Sequence, residues 1–318
     1  MKKYFLLFLG ILISAVIANP APAAYPEKTI QLVVPWGAGG RTDVIARLFA
    51  THAPKYLGQA MVVINKPGGA SVIGGDFVAK SKPDGYTLLA ITPGTNIFPP
   101  IFSKPPYGPY DFAPVGQLAI STMMIATSPS KPWKSIGELI EGAKKRPGEI
   151  TYTCVALKAP QLGFLRFADK AGLQFKFVPA EDDAKAIWAA LGGHVDLVMN
   201  SSIASIAAQF KAKKLMPLVV FNERRDPALP DTPTAKEMGY DVVSSPYTGI
   251  AGPKGMDKGV LEKLREVFKK VIADPEFLKG MEGVGEGIDP VAGEDFAKIW
   301  KMDYEGNIEI SKKMGLLK

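Results

Sequence analysis

The chain has 318 residues, 38 Lys and Arg against 31 Asp and Glu for a formal charge of +7, and one cysteine. That length buries a sizeable core without covalent staples and suggests about two domains. One thiol excludes an internal disulfide and a cysteine zinc site, and dispersed basic residues without interleaved aromatics exclude a nucleic-acid stripe.

The first element is a targeting segment. Lys2 and Lys3 precede an apolar run over residues 4–17 and then the small residues Ala21, Pro22 and Ala23, the order of a secretory signal. The run is short for a membrane span of about 20 residues, and Asn19 and Pro20 interrupt it. Removal of residues 1–23 lowers the charge from +7 to +5.

Residues 29–48, TIQLVVPWGAGGRTDVIARL, read as a buried strand, a glycine loop and a helix. Ile30, Leu32, Val33 and Val34 form the apolar run of a strand covered on both faces, and Pro35 ends it. Gly37, Gly39 and Gly40 free the backbone for a sharp turn and close approach. Thr42 or Asp43 can cap the helix, whose apolar positions Val44, Ile45, Leu48 and Phe49 follow at helical spacing. Such a loop either only turns the chain or aims N–H groups at a small anion, which the helix dipole favours. It is not a phosphate-binding Walker loop, and its glycines do not fit the dinucleotide pattern.

A second strand follows at 61–64, a glycine-rich loop at 67–71 and a helix at 73–80. Pro83, Asp84 and Gly85 turn into a strand at 86–91, which ends in a polar loop at 92–96. The alternation predicts parallel strands with helices on both faces, and ligands bind beyond the C-terminal ends of such strands. Three loops fall there: 35–42, 67–74 and 92–96.

The apolar run 118–127 carries the chain into a second lobe. There the pattern predicts helices at 133–145, 160–171, 182–191 and 203–212, and strands at 150–155, 175–178, 195–199 and 216–221. Asn200, Ser201 and Ser202 close the third of these strands, where a cleft side chain sits. A strand at 243–251 returns to the first lobe, and helices at 258–273 and 293–308 follow. The division is lobe 1 at 24–122 plus 248–318, and lobe 2 at 123–247.

Several of these segments resemble the tripartite tricarboxylate transporter receptor family, the Bug-type extracytoplasmic solute-binding proteins. The matching stretches are YPEKTIQLVVPWGAGGRTDVIAR at 25–47, LGQAMVVINKPGG at 57–69, KPDGYTLL at 82–89, DFAPVGQLA at 111–119, ALPDTPTAKEMGY at 228–240 and AGPKGMD at 251–257. The resemblance implies a type II-like, two-lobed periplasmic binding protein. Each lobe is then a mostly parallel sheet flanked by helices, and crossing strands frame a ligand cleft. It implies a small organic anion, usually a carboxylate, gripped by the first glycine loop and by the start of a second-lobe helix. The membrane components of a tripartite transporter are the implied partners.

Carried onto this chain, the first-lobe site is Trp36, Ala38, Gly39, Gly40, Arg41, Thr42 and Asp43, with Ser71, Thr92, Gly94 and Thr95 from the next loops. The second lobe supplies Lys158, Ala159, Gln161, Ala180, Asn200 and Ser201. Arg41 stands where the family has a small residue, and its guanidinium either pairs with the ligand anion or is solvated. Residues 153–161 have largely lost the family's glycines and hydroxyls, which leaves Lys158 or Gln161 to take over part of the recognition. Pro179-Ala180-Glu181-Asp182 has lost an aromatic and a glycine, and Asp182 either accepts from the ligand or caps a helix.

His52 and His194 lack a ligating neighbour at helical spacing, and Cys154 reads as a packed small residue. No metal, cofactor or catalytic pair is expected, and the expected oligomeric state is a monomer. A receptor that hands its closed form to a sensor domain, or a secreted enzyme on the same fold, are the other readings. N-terminal sequencing of the exported protein should give Ala24 as the first residue; retention of residues 1–23 would make the segment an anchor.

Overall fold

The run IQLVV of β1 (Ile30–Val34) has four of its five side chains buried, so β1 belongs inside a sheet covered on both faces. Its neighbours are β2 (Met61–Asn65) and β3 (Thr87–Ile91), both parallel to it. The computed structural model describes residues 25–284 and 287–317, and the expected signal segment lies outside them. Among the described residues, no helix is long and apolar enough to cross a membrane.

The apolar run expected at 118–127 is two strands in two sheets. β4 (Phe112–Ile120) joins the first sheet and β5 (Met124–Thr127) opens the second. The second sheet continues with β6 (Thr151–Val155), β7 (Lys176–Ala180), β8 (Leu197–Asn200) and β9 (Met216–Val220). β10 (Tyr247–Pro253) and β11 (Gly287–Ala292) then complete the first. The strand orders are β11-β4-β10-β3-β1-β2 and β7-β6-β8-β5-β9. Both sheets are mixed. β10 runs antiparallel to β3 and β4, and β5 runs antiparallel to β8 and β9, because a strand entering from the other lobe arrives in the reverse sense.

The helices are α1 (Arg41–His52), α2 (Pro54–Leu57), α3 (Val72–Ala79), α4 (Pro93–Asn96), α5 (Phe98–Phe102) and α6 (Ile136–Lys145). After them come α7 (Ala159–Lys170), α8 (Asp183–Leu191), α9 (Ile203–Lys211), α10 (Lys258–Ile272), α11 (Pro275–Val284) and α12 (Gly293–Lys313). Each sheet is a middle layer. Ile30, Leu32 and Val34 pack with Ile45, Phe49, Phe268 and Phe277 on one face of the first sheet, and Val33, Leu89 and Ile91 with Phe296 and Trp300 on the other. In the second sheet Ile125, Tyr152 and Met199 meet Phe164 and Phe167, while Met124 and Val198 meet Ala186, Ile187 and Ile206.

Three differences from the sequence reading matter. The polar loop at 92–96 holds a short buried helix, because Pro93 pre-sets its first turn. The returning strand begins at Tyr247, not 243; the residues just before it lie outside the sheet and bond to the other crossing, as where Ser244 donates its N–H to the Phe221 carbonyl at 2.9 Å. Helix α11 went unforeseen, although Asp274 followed by Pro275 is an N-terminal signature and the Glu276 N–H donates to the Asp274 carboxylate at 2.9 Å.

The two crossings are stitched together. Ser121 N–H donates to the Pro246 carbonyl at 2.7 Å, and Phe221 N–H to the Met123 carbonyl at 2.9 Å. Asn222 Nδ2 donates to Thr122 Oγ1 at 2.7 Å, Ser245 Oγ donates to Asn222 Oδ1 at 2.8 Å, and Thr122 Oγ1 donates to Asp226. On the far side α12 lies against α7, where Arg166 stands 3.7 Å from Asp303.

Gly249 sits at the centre of this arrangement. A Cβ there would lie 2.6 Å from the Phe296 ring and 2.7 Å from the Gly116 carbonyl. Gly249→Ala should therefore cost about 1–3 kcal/mol through overpacking. Urea unfolding checks it; an unchanged midpoint would mean that the ring moves aside freely.

Candidate functional site

Parallel strands end on one edge, so β1, β2 and β3 deliver their loops together. The crossing leaves from that same edge: Ile91 pairs with Gly249 and Ile120 with Tyr247. In the second sheet Val155 pairs with Ala180, and Asn200 pairs with Met124, the first residue after the crossing. The C-terminal edges of the parallel strands in both sheets thus meet at the hinge. β1 lies two strands from β10, and β6 lies two strands from β5. At about 4.8 Å per strand each stands roughly 10 Å from the crossing, so the N-termini of α1 and α7 oppose each other across a cleft.

The glycine loop is held from behind. Asp43 is 2 % exposed and faces inward. Its carboxylate accepts from Gly39 N–H at 2.8 Å, Arg47 Nε at 2.9 Å and Asn65 Nδ2 at 2.8 Å. Burial alone would raise its pKa; those bonds outweigh burial and bring it down to about 2. Asp43 therefore shapes the loop and does not face a ligand, and Gly40, not Thr42 or Asp43, occupies the N-cap. Gly39 has φ +79°, a left-handed conformation that glycine adopts without strain. Residues 37–40 are exposed, and no side chain caps α1. Asn65, which the sequence reading missed, braces the loop further by donating to the Trp36 carbonyl at 3.2 Å. Its signal was an amide ending the second parallel strand.

Arg41 is not a solvated arginine. It is half-buried, and Nη1 donates to Thr248 Oγ1 on β10 at 2.9 Å. Its charge is drawn toward the hinge strand at the mouth of the loop.

The remaining first-lobe candidates mostly brace the loops. The Trp36 ring packs over Gly94, where a Cβ would meet it at 2.8 Å. Ser71 is 1 % exposed and its Oγ donates to the Gly94 carbonyl at 2.6 Å. Thr92 and Thr95 are buried, with their hydroxyls 3.4 Å apart. Ser71 and Thr95 point into the lobe because each is committed to packing between loops. Ala38, Gly40 and Thr42 stay at the open rim.

In the second lobe, Lys158 holds the N-cap of α7, makes no cap hydrogen bond and is exposed. Ala159 is buried behind it, and Pro160 removes one N–H from the first turn. Gln161 is turned inward and buried, and its Oε1 accepts from Leu157 N–H at 2.7 Å. Leu157 pays for this tight loop with φ +55°. Asn200 is fully buried; Oδ1 accepts from Ser202 N–H at 2.7 Å, while Nδ2 has no partner among the described residues. Ser201 and Ala180 are half-exposed on the same edge. Asp182 caps α8 through Lys185 N–H at 2.7 Å, the bland alternative for that residue.

Other chemistry is thin. Among the described residues, His52, Asp274 and Glu276 stand close enough to share a metal ion. Asp274 Oδ2 is already taken by Lys55 at 2.9 Å and Tyr56 at 2.8 Å, and the resident ammonium opposes a second cation. Burial pushes the Cys154 thiol up to about 12, far from thiolate chemistry. A depression of about 500 Å³ lined by Ser128, Leu191, Lys213 and Lys214 lies at the opposite edge of the second sheet, away from the converging loops.

The Asp43 bonds give a testable pH dependence. A carboxylate held below its unfolded value stabilises the fold fully above that value, and this support is lost as pH falls toward 2. Asp43→Asn should cost on the order of 1–3 kcal/mol at neutral pH and less in acid. Equal losses at pH 7 and pH 3 in chemical denaturation would show that Asp43 acts by packing alone.

Comparison with known proteins bears on these loops. Residues 45–316 match the family described as the tripartite tricarboxylate transporter family receptor. The Protein BugT of Bordetella pertussis is 32 % identical, over 89 % of this chain and 88 % of its own. Among solved structures, a TctC solute binding protein from Polaromonas, without ligand, superposes with a TM-score of 0.85 at 28 % identity, covering 91 % of this chain and 99 % of its own. An R. palustris protein solved with adipate gives a TM-score of 0.70 at 25 % identity, covering 92 % and 98 %. With this fold and a match over most of its length, the chain belongs to the tripartite tricarboxylate transporter receptor family.

Proposed function

We propose that this protein is a periplasmic receptor that closes its two lobes over a small organic acid and presents it to the membrane components of a tripartite transporter. The observation that carries the reading is the pair of helix N-termini, α1 and α7, opposed across the cleft without side-chain caps. A helix N-terminus offers unbonded N–H groups and the positive end of a dipole, which favour a carboxylate. Arg41 and Lys158 add positive charge at the two rims. The adipate held by the R. palustris relative supports the same ligand class.

Two lobes joined by narrow crossings move as rigid bodies, so a ligand that touches both shifts the balance toward the closed form. The site is one for binding and release, and turnover is not part of the proposal. The working state is a monomer, exported after loss of residues 1–23.

A thermal-shift screen of organic acids tests this. A true ligand at 100 times its Kd should add about 2.7 kcal/mol of stability. With that ligand, Arg41→Gly should weaken binding roughly tenfold to a hundredfold, the worth of one hydrogen bond to a charged group, and reduce its salt dependence. A screen in which no acid stabilises the protein would sink the reading. Unchanged affinity in Arg41→Gly at low and high salt would take Arg41 out of the site.

A further inference from the structure

The second lobe's cleft edge carries an acid that the loop bracing does not use. β7 ends at Ala180, in register with Val155, and three residues later Asp183 opens α8. Its neighbours are all committed: Glu181 pairs with Lys185, and Asp182 accepts from Lys185 N–H. Asp183 is exposed and, among the described residues, its carboxylate makes no hydrogen bond and no ion pair. Lys158 stands three residues past the end of β6 and Asp183 three residues past the end of β7, so the two charges sit on adjacent, paired strand ends. From the outer strand toward the hinge, the edge therefore presents a carboxylate at Asp183, an ammonium at Lys158 and the unpartnered buried amide of Asn200.

The first lobe offers a different set. The α1 N-terminus and the Arg41 guanidinium all donate, and Asp43, the acid of that loop, is turned inward. A ligand spanning the cleft thus meets donors from lobe 1, a cation from Lys158, and one negative acceptor a strand farther out.

We propose that Asp183 sets the ligand class of this receptor: it takes the cationic amine of an amino-carboxylate whose acid group lies between α1 and α7. This rests on the carboxylate-receptor reading above and narrows it. A second carboxylate in the ligand would meet Asp183 as a like charge, which disfavours it, while an ammonium gains a charge-assisted hydrogen bond. The family's tricarboxylate name would then mislead for this member. The glycines and hydroxyls lost from the second-lobe loops fit the same change, because fewer donors remain there for a second acid.

Calorimetry on the processed protein with matched probes tests the proposal. The probes are butanoate, 4-aminobutanoate and succinate, with the hexanoate, 6-aminohexanoate and adipate series for a longer reach. At one length the amino acid should bind at least tenfold tighter than both the plain acid and the diacid. Asp183→Asn should abolish that preference and leave the plain acid's affinity within about twofold; the residue is exposed and unbonded, so the fold should stand. A diacid that binds as tightly as the amino acid overturns the Asp183 assignment and leaves the carboxylate receptor intact. So does an amino-acid preference that survives in Asp183→Asn. If none of the acids binds at any length, both readings fall together.

Discussion

The chain passes between its sheets twice, and both passages leave from the edges where the parallel strands end. That constraint decides where everything else can be. Ile120 pairs with Tyr247 on one side of the hinge, and Met124 pairs with Asn200 on the other. Between them, Thr122, Asn222, Asp226 and Ser245 form a polar knot that keeps the crossings together. Because loops and crossings share an edge, each helix N-terminus after a parallel strand is brought to the cleft. No loop has to be long to reach it.

Behind the rim, buried polar groups do the positioning. Asp43, Asn65 and Arg47 form a closed set of hydrogen bonds under the glycine loop. Ser71 and the Trp36 ring clamp the next two loops around Gly94. A loop shaped in advance loses less freedom when it meets a ligand, which favours affinity over adaptability. The second lobe is braced differently, through Gln161 and a strained Leu157, and leaves charged side chains at its rim.

Much of this was legible in the sequence. The buried run of β1, the glycine loop and the order of matching segments pointed to two α/β lobes and to the sheet edge where the loops after β1, β2 and β3 gather. Period and punctuation carry that much, because strand burial and glycine freedom are local properties. Direction of side chains is not local. Asp43 looked like a cap or a ligand contact, but its partner Asn65 lies on the next strand, and only the parallel register of β1 and β2 brings them together. Arg41 was balanced between solvent and ligand, and neither reading foresaw Thr248, which arrives on β10 from the far end of the chain. Asp183 stands beside an obvious helix cap, Asp182, and that its own carboxylate is uncommitted shows only when the bonds of its neighbours are known.

The central place of β10 bears on how the chain reaches this state. β10 lies between β3 and β4, yet it follows the whole second sheet in sequence. Until residues 247–253 are available, the edges of β3 and β4 that they cover have no partner, so the first sheet cannot close on itself. Pairing segments so distant in sequence is slow, and open strand edges invite aggregation meanwhile. Every described strand of the second sheet lies within 124–220, so that sheet can assemble earlier. The order of folding implied is inside out: the inserted lobe forms first, its closing pulls the two crossings together, and the outer lobe is completed last around the returning strand.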